Sequence, residues 1–541
     1  MKKLASVLLA IAMMLTMNIC VFADEGTTLT INDSGDRTYA GYKLLNLTTS
    51  LKLNEHHTAH DGDHTDDCYN FAYTVNATYR AILQNEVFAN GGNYLWEGGN
   101  KPADATSITD DQILKYLSNQ TSDNGDVYQT MRQVADRLYR AIKTANITAD
   151  KTNLTGNADV IEQGYWLFAD VTALEGAEAN SLVMVDTKGQ EDLVISSKTS
   201  LPTVEKKVKD IEDSEDDSIL DNAWHDTADH DIGDTVPFKL TGTLPGNAQY
   251  YQTFKMVFHD TASAGLTVDT NSFKVYMYDT KYKADVDTDL NDYAKDVTAN
   301  FTVSTNTADG CTFAIGCDNV FAISGVTKDS TFVVYYEATL NENAVIGAEG
   351  NANEVYLEFS NDPYGDSTGE TEKDIVKVYT YKLVINKIDS HGHELKGAGF
   401  TLSKKNVNGT YTVIGEELKG DDMVTFTWLG LDDGDYKLEE TTVPAGYNKM
   451  SDIVFSVSAV HVEVDGIPAL TSLDGGLMGT GKVANGVLTG AIEKNIVNNT
   501  GTILPETGAK GTAWLIFGSA MLVILAGVFM VTRKKMSVYE D

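Results

Sequence analysis

Two short stretches of the chain combine residues that could bind a metal ion. Four histidines with neighbouring carboxylates lie within 56–64, a spacing at which imidazoles can hold zinc. Residues 285–291 alternate aspartate with other residues as calcium loops do, but they lack the glycine of an EF-hand. Because no fixed scaffold for the ligands is visible, hydrated loops explain both stretches more simply. We predict no metal site and no cofactor, with zinc and calcium left open as alternatives.

Both ends of the chain carry segments for crossing a membrane. A basic start, an apolar run and a small-residue cleavage site form a signal peptide at residues 1–23. Residues 512–532 are uncharged and apolar, and their helix would be about 31 Å long, enough to cross a bilayer. The basic tail at 533–541 stays cytoplasmic by the positive-inside rule. The sequence therefore predicts export of everything before residue 504 and a transmembrane helix after it.

The exported part of the chain has few cysteines. Cys20 falls within the signal peptide, which leaves Cys68, Cys311 and Cys317. Export makes a disulfide between Cys311 and Cys317 possible, and two free thiols are an equal alternative. Cys68 has no evident partner. A long exported chain with so few cysteines needs another way to resist proteases and shear.

Composition narrows the class of protein. The 541 residues carry a formal net charge of −37. Nucleic acid is excluded as a partner, because binding to phosphates needs basic patches. The length corresponds to about three domains of ordinary size, each able to bury its own core.

Three β-rich segments follow the signal peptide. In 24–200 alternating strands flank helical stretches at 108–117 and 127–142, which predicts an N-terminal β domain with helical insertions. At 201–366, β-rich runs separated by Gly, Asn and Asp turns predict an almost all-β sandwich. A third β domain is predicted at 378–500. The fold class is mainly β, with tandem immunoglobulin-like sandwiches.

A pentapeptide stands just ahead of the apolar run and consists of Leu504, Pro505, Glu506, Thr507 and Gly508. With the apolar span and the basic end it resembles the cell-wall sorting signal of Gram-positive surface proteins. The resemblance implies that the transpeptidase sortase cuts between Thr507 and Gly508 and holds Thr507 as a thioester. An ordinary single-pass membrane protein is the alternative. We expect transient retention in the membrane, followed by linkage to peptidoglycan at the cell surface.

The third domain carries three short motifs on its candidate strands: K-x-D at 387–389, G-A-x-F at 397–400 and E-T-x-x-P-x-G-Y at 440–447. Together they make it similar to the B-type repeat of collagen adhesins. The resemblance implies an intramolecular isopeptide bond between Lys387 and Asn498, assisted by the catalytic acid Glu440. Burial would favour the neutral, nucleophilic form of the lysine. A plain ion pair between Lys387 and Glu440 is the alternative, and Asn499 is the alternative partner if the register differs by one residue.

Four stretches of the middle domain carry a further resemblance: 202–208, 233–236, 259–266 and 351–363. They make the domain look like the middle domain of major pilins, of the fimbrial isopeptide-forming type. This implies a bond between Lys206 and Asn353, with Asp260 as the assisting acid. Lys207 would face the other way on a strand, which is why we choose Lys206.

The junction between the first two domains contains Lys198 in an exposed stretch. Major pilins commonly carry Tyr-Pro-Lys here, and its lysine attacks the sortase thioester of the next subunit. In this chain Ser196 and Ser197 replace Tyr and Pro, so the motif is degenerate. The resemblance implies that Lys198 joins to Thr507 of a neighbouring copy, a head-to-tail contact that does not close and so makes a fibre. A solvated linker lysine is the alternative.

These resemblances imply a structural backbone subunit of a sortase-polymerised, cell-wall-anchored pilus. Its partners would be sortase, other copies of itself and peptidoglycan, with minor pilins and host surface ligands beyond these. No turnover enzyme is expected, since each isopeptide step happens once per molecule. The alternative is a wall-anchored or tip adhesin that binds host matrix or glycans through the first domain. Whether the first domain has an isopeptide bond of its own stays open.

Overall fold

A computed structural model describes most of the chain between residues 26 and 500. The described residues are 26–32, 37–51, 69–96, 100–120, 130–156, 159–174, 178–188, 192–196, 200–211, 224–279, 293–464 and 466–500. Within these ranges no helix is both long and apolar enough to span a membrane, and the span predicted at 512–532 lies outside them. The structure is mainly β, as predicted.

The first part of the chain combines two sheets with three described α-helices. Its strands are β1 (Thr27–Ile31), β2 (Tyr39–Leu51), β3 (Tyr69–Val75), β4 (Lys151–Leu154), β5 (Asp159–Ile161), β6 (Gly164–Asp170), β7 (Leu182–Asp186) and β8 (Asp192–Ile195). Its helices are α1 (Arg80–Asn90), α2 (Asp110–Ser118) and α3 (Thr130–Thr144). One sheet has the order β5-β1-β8, and the other has the order β3-β2-β6-β7 with β4 beside β2. The three helices share one apolar core with the second sheet.

Local sequence explains the helical insertions. Thr109 and Gln112 form a capping box at the start of α2, in which each side chain accepts a hydrogen bond from the backbone N–H of the other. Along α3, Val134, Leu138 and Ile142 recur at helical spacing and are buried. The predicted insertions are confirmed, although the described part of the second helix begins at residue 130.

The middle part is a sandwich of two seven-stranded sheets. Its strands are β9 (Val204–Lys209), β10 (Trp224–His225), β11 (Thr227–Asp229), β12 (Thr235–Thr243), β13 (Met256–Ala262), β14 (Leu266–Val268), β15 (Lys274–Tyr278), β16 (Lys295–Asp296), β17 (Thr302–Ser304), β18 (Phe313–Cys317), β19 (Thr331–Leu340), β20 (Asn351–Ser360), β21 (Thr368–Glu370) and β22 (Asp374–Tyr379). One sheet runs β10-β9-β12-β19-β15-β16 with β14 beside β19. The other runs β11-β22-β20-β13-β18-β17 with β21 beside β20.

The sandwich extends beyond the predicted end of the middle domain. β21 and β22 follow residue 366, and both pair with β20. Every second residue of β20 is buried, which is the pattern of a strand with one face on a core. Val376 and Val378 of β22 belong to the same core. Residues 368–379 are therefore part of the second sheet of this sandwich.

The last described part packs a four-stranded sheet on a six-stranded one. Its strands are β23 (Tyr381–Asp389), β24 (Gly399–Lys405), β25 (Tyr411–Val413), β26 (Leu418–Lys419), β27 (Thr425–Leu431), β28 (Gly434–Thr442), β29 (Ile453–Val464), β30 (Ile467–Asp474), β31 (Gly481–Ala484) and β32 (Val487–Asn498). The sheet orders are β27-β23-β32-β31 and β25-β24-β28-β29-β30, with β26 beside β24. The first and last strands, β23 and β32, are parallel neighbours.

Short 3-10 helices complete the secondary structure: Asn93–Leu95, Ala105–Ser107, Ala248–Tyr250, Thr298–Asn300, Val320–Ala322 and Gly476–Met478. A disulfide between Cys311 and Cys317 is not formed, and both thiols are free. The reason is that the strand β18 is extended from Phe313 to Cys317, over about 13 Å at about 3.3 Å per residue, and so carries Cys317 away from Cys311, whereas a disulfide needs Cα atoms within about 7 Å.

Candidate isopeptide sites

The three residues predicted for the middle site come from both sheets of the sandwich. Lys206 lies on β9 of one sheet, and Asp260 and Asn353 lie on β13 and β20 of the other. Asp260 pairs with Val355 and Ala262 pairs with Asn353, so the two side chains share the inward face of neighbouring strands. All three residues are 0% exposed. The fold thus brings them together in the core.

Tyr336 of β19 is the centre of this group. Its hydroxyl donates to Asp260 Oδ2 at 2.9 Å and accepts from Lys206 Nζ at 2.9 Å and from Asn353 Nδ2 at 2.8 Å. Lys206 Nζ also donates directly to Asp260 Oδ2. The sequence analysis missed Tyr336. Strand alternation in β19 could have placed it on the buried face, but nothing in the sequence ties it to the other three.

The middle site is fully buried and lined with aromatic rings. Lys206 Nζ lies 5.4 Å from the ring centroids of both Phe238 and Tyr336. Burial lowers the pKa of Lys206 and raises that of Asp260, so the site favours the neutral amine and the protonated acid. Two oxygens, Asp260 Oδ1 and Asn353 Oδ1, are buried and accept no hydrogen bond from any described residue. A proton on Asp260 would make this acid a donor where the amide needs one.

The C-terminal site is built differently, from the first and last strands of one sheet and an acid of the other. Lys387 is on β23 and Asn498 on β32, in a register that pairs Lys387 with Ile496 and Asp389 with Asn498. Glu440 lies on β28 of the facing sheet. Glu440 Oε1 accepts from Asn498 Nδ2 at 2.7 Å, and Oε2 accepts from the backbone N–H of Met450 at 2.8 Å.

Within the described part of the chain, no carboxylate accepts a hydrogen bond from the Lys387 amine. Its Nζ donates to the carbonyl oxygens of Ile388 and Ile496, each at 3.1 Å, and the residue is 0% exposed. Burial lowers its pKa to about 8, although Glu440 acts in the opposite direction. Near pH 8 a large fraction of this amine is therefore neutral. The geometry does not favour the plain ion pair between Lys387 and Glu440, since among the described residues the amine bonds only carbonyl oxygens.

Neighbouring residues distinguish the predicted partners from their alternatives. Asn498 is 1% exposed and Asn499 is exposed, so only the first of the two faces the core. Similarly, Lys207 turns away from Asp260 and reaches Asp226 Oδ1 at 2.9 Å. The remaining predicted site residues lie outside the described residues: Lys198, the sorting residues 504–508, the histidine stretch 56–64 and the acidic stretch 285–291.

Family models match three parts of the chain. Residues 232–363 match the Gram-positive pilin backbone subunit 2, Cna-B-like domain, and 381–467 match the SpaA prealbumin-like fold domain. Residues 496–537 match the LPXTG cell wall anchor motif. The chain carries the domains of a Gram-positive backbone pilin. This pilin is a cell-wall-anchored surface protein, and its anchor implies attachment by sortase.

Relatives of this pilin include streptococcal and corynebacterial proteins. The trypsin-resistant surface T6 protein of Streptococcus pyogenes serotype M6 is 24% identical over 415 residues, 63% of this chain and 70% of that protein. The solved T6 backbone pilin is 17% identical with a TM-score of 0.47, covering 89% of this chain and 100% of its own. The major pilin SpaD of Corynebacterium diphtheriae is 15% identical with a TM-score of 0.40, covering 89% and 99%. The two solved proteins are a backbone pilin and a major pilin.

Proposed function

We propose that this pilin is a covalent polymer subunit whose middle and C-terminal domains are each closed by one internal isopeptide bond. The bonds are Lys206 to Asn353 and Lys387 to Asn498. The observation that carries the proposal is that each buried lysine shares a site with a buried asparagine and a buried carboxyl group. A buried ion pair alone stabilises a protein little, because the desolvation of its charges offsets their attraction. Stability by itself therefore does not explain these buried lysines and carboxyl groups, whereas isopeptide formation does.

In the middle domain the neutral amine of Lys206 attacks the Asn353 side-chain carbonyl carbon. Asp260, protonated by burial, stabilises the developing oxyanion and then delivers its proton to the leaving nitrogen, while the attacking amine gives up a proton to the same carboxylate. One C–N bond forms, one C–N bond breaks and ammonia leaves. The Tyr336 hydroxyl is hydrogen-bonded to the amine, the carboxyl group and the amide, and Tyr336 is therefore a positioning residue.

In the C-terminal domain Glu440 already contacts the group that leaves. Its Oε1 lies 2.7 Å from Asn498 Nδ2, within reach for proton transfer to the departing ammonia. The neutral form of Lys387 is the nucleophile, and the fall of its pKa to about 8 makes that form available at mild pH. The balance of atoms is the same as in the middle domain.

The two bonds would carry load in different ways. The middle bond joins the two facing sheets, because Lys206 and Asn353 belong to different sheets. The C-terminal bond joins β23 to β32, the strands through which a pull on the ends of this domain enters and leaves. We therefore propose that tension along the fibre passes through covalent links and not through the hydrogen bonds of β24 to β31.

The intact mass of the recombinant exported part, residues 24–503, tests the internal bonds. We expect a mass lower than that of the sequence by two molecules of ammonia. Lys206→Ala and Lys387→Ala should each restore one, while the matched control Lys207→Ala should restore none because its side chain faces Asp226. A wild-type mass equal to that of the sequence would refute both bonds.

We further propose that Lys198 joins Thr507 of the next copy. In cells with active sortase, wall extracts should give a ladder of multimers that resist detergent, and Lys198→Ala should collapse the ladder to a monomer. Lys188→Ala is the control, since this lysine is exposed and ten residues upstream. A lone monomer from the unmodified protein would instead favour the adhesin that binds host ligands. An unchanged ladder in Lys198→Ala would assign the linkage to another lysine.

A further inference from the structure

A cluster of three potential metal ligands lies on the outer side of the middle sandwich. His259 is on β13, next to the inward-facing Asp260, and its side chain therefore points the other way. Its Nδ1 lies 2.8 Å from Asp309 Oδ2 and 3.7 Å from Cys311 Sγ. One ligand atom of each residue lies within 4.8 Å of the other two.

These separations are close to those of a tetrahedral zinc site. With Zn–N near 2.0 Å and Zn–S near 2.3 Å, tetrahedral angles place nitrogen and sulfur about 3.5 Å apart. The observed 3.7 Å between Cys311 Sγ and His259 Nδ1 needs almost no change. His259 and Asp309 are joined by a hydrogen bond and would have to part by about half an ångström. Asp309 is on an exposed loop and can make that movement.

The groups around the cluster also fit a metal site. The second ring nitrogen, His259 Nε2, lies 3.3 Å from Glu358 Oε2, and Lys255 Nζ donates to Glu358 Oε1 at 2.7 Å. A carboxylate on the second nitrogen of a ligating histidine fixes its tautomer and leaves the first nitrogen free for the metal. The ring of Tyr356 stacks on His259 at 4.6 Å, and its hydroxyl donates to Asp309. These contacts orient the His259 ring and the Asp309 carboxylate.

We propose that His259 Nδ1, Asp309 Oδ2 and Cys311 Sγ bind a divalent metal ion of the Zn²⁺ class, with solvent in the fourth position. The ligand set of nitrogen, oxygen and sulfur suits a borderline-soft ion and not Mg²⁺ or Ca²⁺. On binding, the Cys311 thiol and His259 Nδ1, which donates to Asp309 in the metal-free protein, each release a proton to solvent, and the imidazole keeps one proton on Nε2, donated to Glu358. This site is separate from the isopeptide chemistry and does not depend on it.

Burial of the Cys311 thiol disfavours a catalytic role for it. Burial raises the pKa of Cys311 to about 11, so without a metal the group stays a thiol and is a poor nucleophile. A bound cation reverses this by stabilising the thiolate directly. The ion would tie the loop that carries Asp309 and Cys311 to β13, the strand that carries Asp260.

Cobalt provides the test, because Co²⁺ bound to a thiolate gives a charge-transfer absorption band. The exported part of the chain, treated with chelator and kept reduced, should bind one equivalent of Co²⁺ with such a band, and Zn²⁺ should displace it. Cys311→Ser should abolish the band. Cys317→Ser and Cys68→Ser are matched controls that should keep it, the second because Cys68 follows the histidine stretch 56–64. Zn²⁺ should also raise the midpoint of thermal unfolding, and this shift should be lost in Cys311→Ser.

Two further variants keep the test decisive if the cysteine variant folds poorly. Asp309→Asn changes an exposed ligand, and Glu358→Gln changes the carboxylate that contacts Nε2 of the ligand His259. Each should weaken Co²⁺ binding, by about 10- to 100-fold for the second. A band that survives in Cys311→Ser or disappears in Cys68→Ser would overturn the proposal. So would the absence of stoichiometric Co²⁺ binding by the unmodified protein.

Discussion

Replacing Asn498 by alanine removes the proposed partner of Lys387 and leaves the rest of the C-terminal domain intact. Asn498 is buried at the end of β32, and its side chain bonds Glu440. Without the amide carbon no bond to Lys387 can form. The first and last strands of the domain would then be held only by their parallel hydrogen bonds and by packing.

The size of the effect follows from the loop that the bond closes. Lys387 and Asn498 bracket nearly the whole domain, and a cross-link that closes ~100 residues contributes about 4.7 kcal/mol through the entropy of the unfolded chain. For a domain of this size, about 4 °C per kcal/mol gives a fall of about 20 °C in the unfolding midpoint of the C-terminal domain.

Intact mass and calorimetry of the same samples measure both parts of this prediction. Asn498→Ala should show one ammonia loss where the wild type shows two, and only one thermal transition should move. Asn499→Ala is the matched control, because that side chain is exposed and outside the site. It should keep both losses and the wild-type transitions.

Three results would contradict the reasoning. A second ammonia loss that persists in Asn498→Ala would place the bond elsewhere. Its disappearance in Asn499→Ala would shift the register by one residue. An unchanged unfolding midpoint in a variant that has lost the bond would show that the cross-link does not limit the stability of this domain.

Three other predictions concern the same residues and the junction between the last two domains. Tyr336→Phe keeps the ring that packs on Phe238 but loses the hydroxyl, and we expect the isopeptide bond of the middle domain to form about 100-fold more slowly in a time course of intact mass. Formation at the wild-type rate would show that Tyr336 has no positioning role. In Asn498→Ala, Lys387 stays a free amine whose pKa is about 8 in the folded state, against its ordinary 10.5. Between these two pH values the unfolded state binds more protons than the folded state, so the free energy of unfolding should rise with pH there, by up to about 3 kcal/mol. The bonded wild type should show no such rise in denaturant titrations. Lys404→Ala removes the amine that lies 2.7 Å from Asp231 and 3.1 Å from the buried Asp432, and it should lower the free energy of unfolding by about 3–5 kcal/mol in denaturant titrations. The neighbouring Lys405 pairs with the half-buried Asp435, so the control Lys405→Ala should lower it by less than about 1 kcal/mol.

Patterns of residue type along the sequence predicted the β architecture and the helices, because strand alternation and helix capping depend on neighbouring residues. The sandwich, the capped helix α2 and the strand β23 all follow from such patterns. The end of the middle domain did not follow. β21 and β22 belong to the sandwich because they pair with β20, a contact between strands that a pattern along the chain does not report. The same limit applied to the cysteines, which are near in sequence but held apart by β18.

The sequence by itself determined the cell-wall anchor motif and predicted the export signal and the candidate lysines, acids and asparagines of the two sites, because short motifs with a family resemblance carry that information. Only the tertiary structure decided which side chains meet. It places Lys206 of one sheet against Asp260 of the other, inserts Tyr336 between them and Asn353, and turns Asn498 inward while Asn499 faces solvent. The physical reason is that these contacts depend on how two sheets stack and how strands align, and both are set by packing across the core over long stretches of chain.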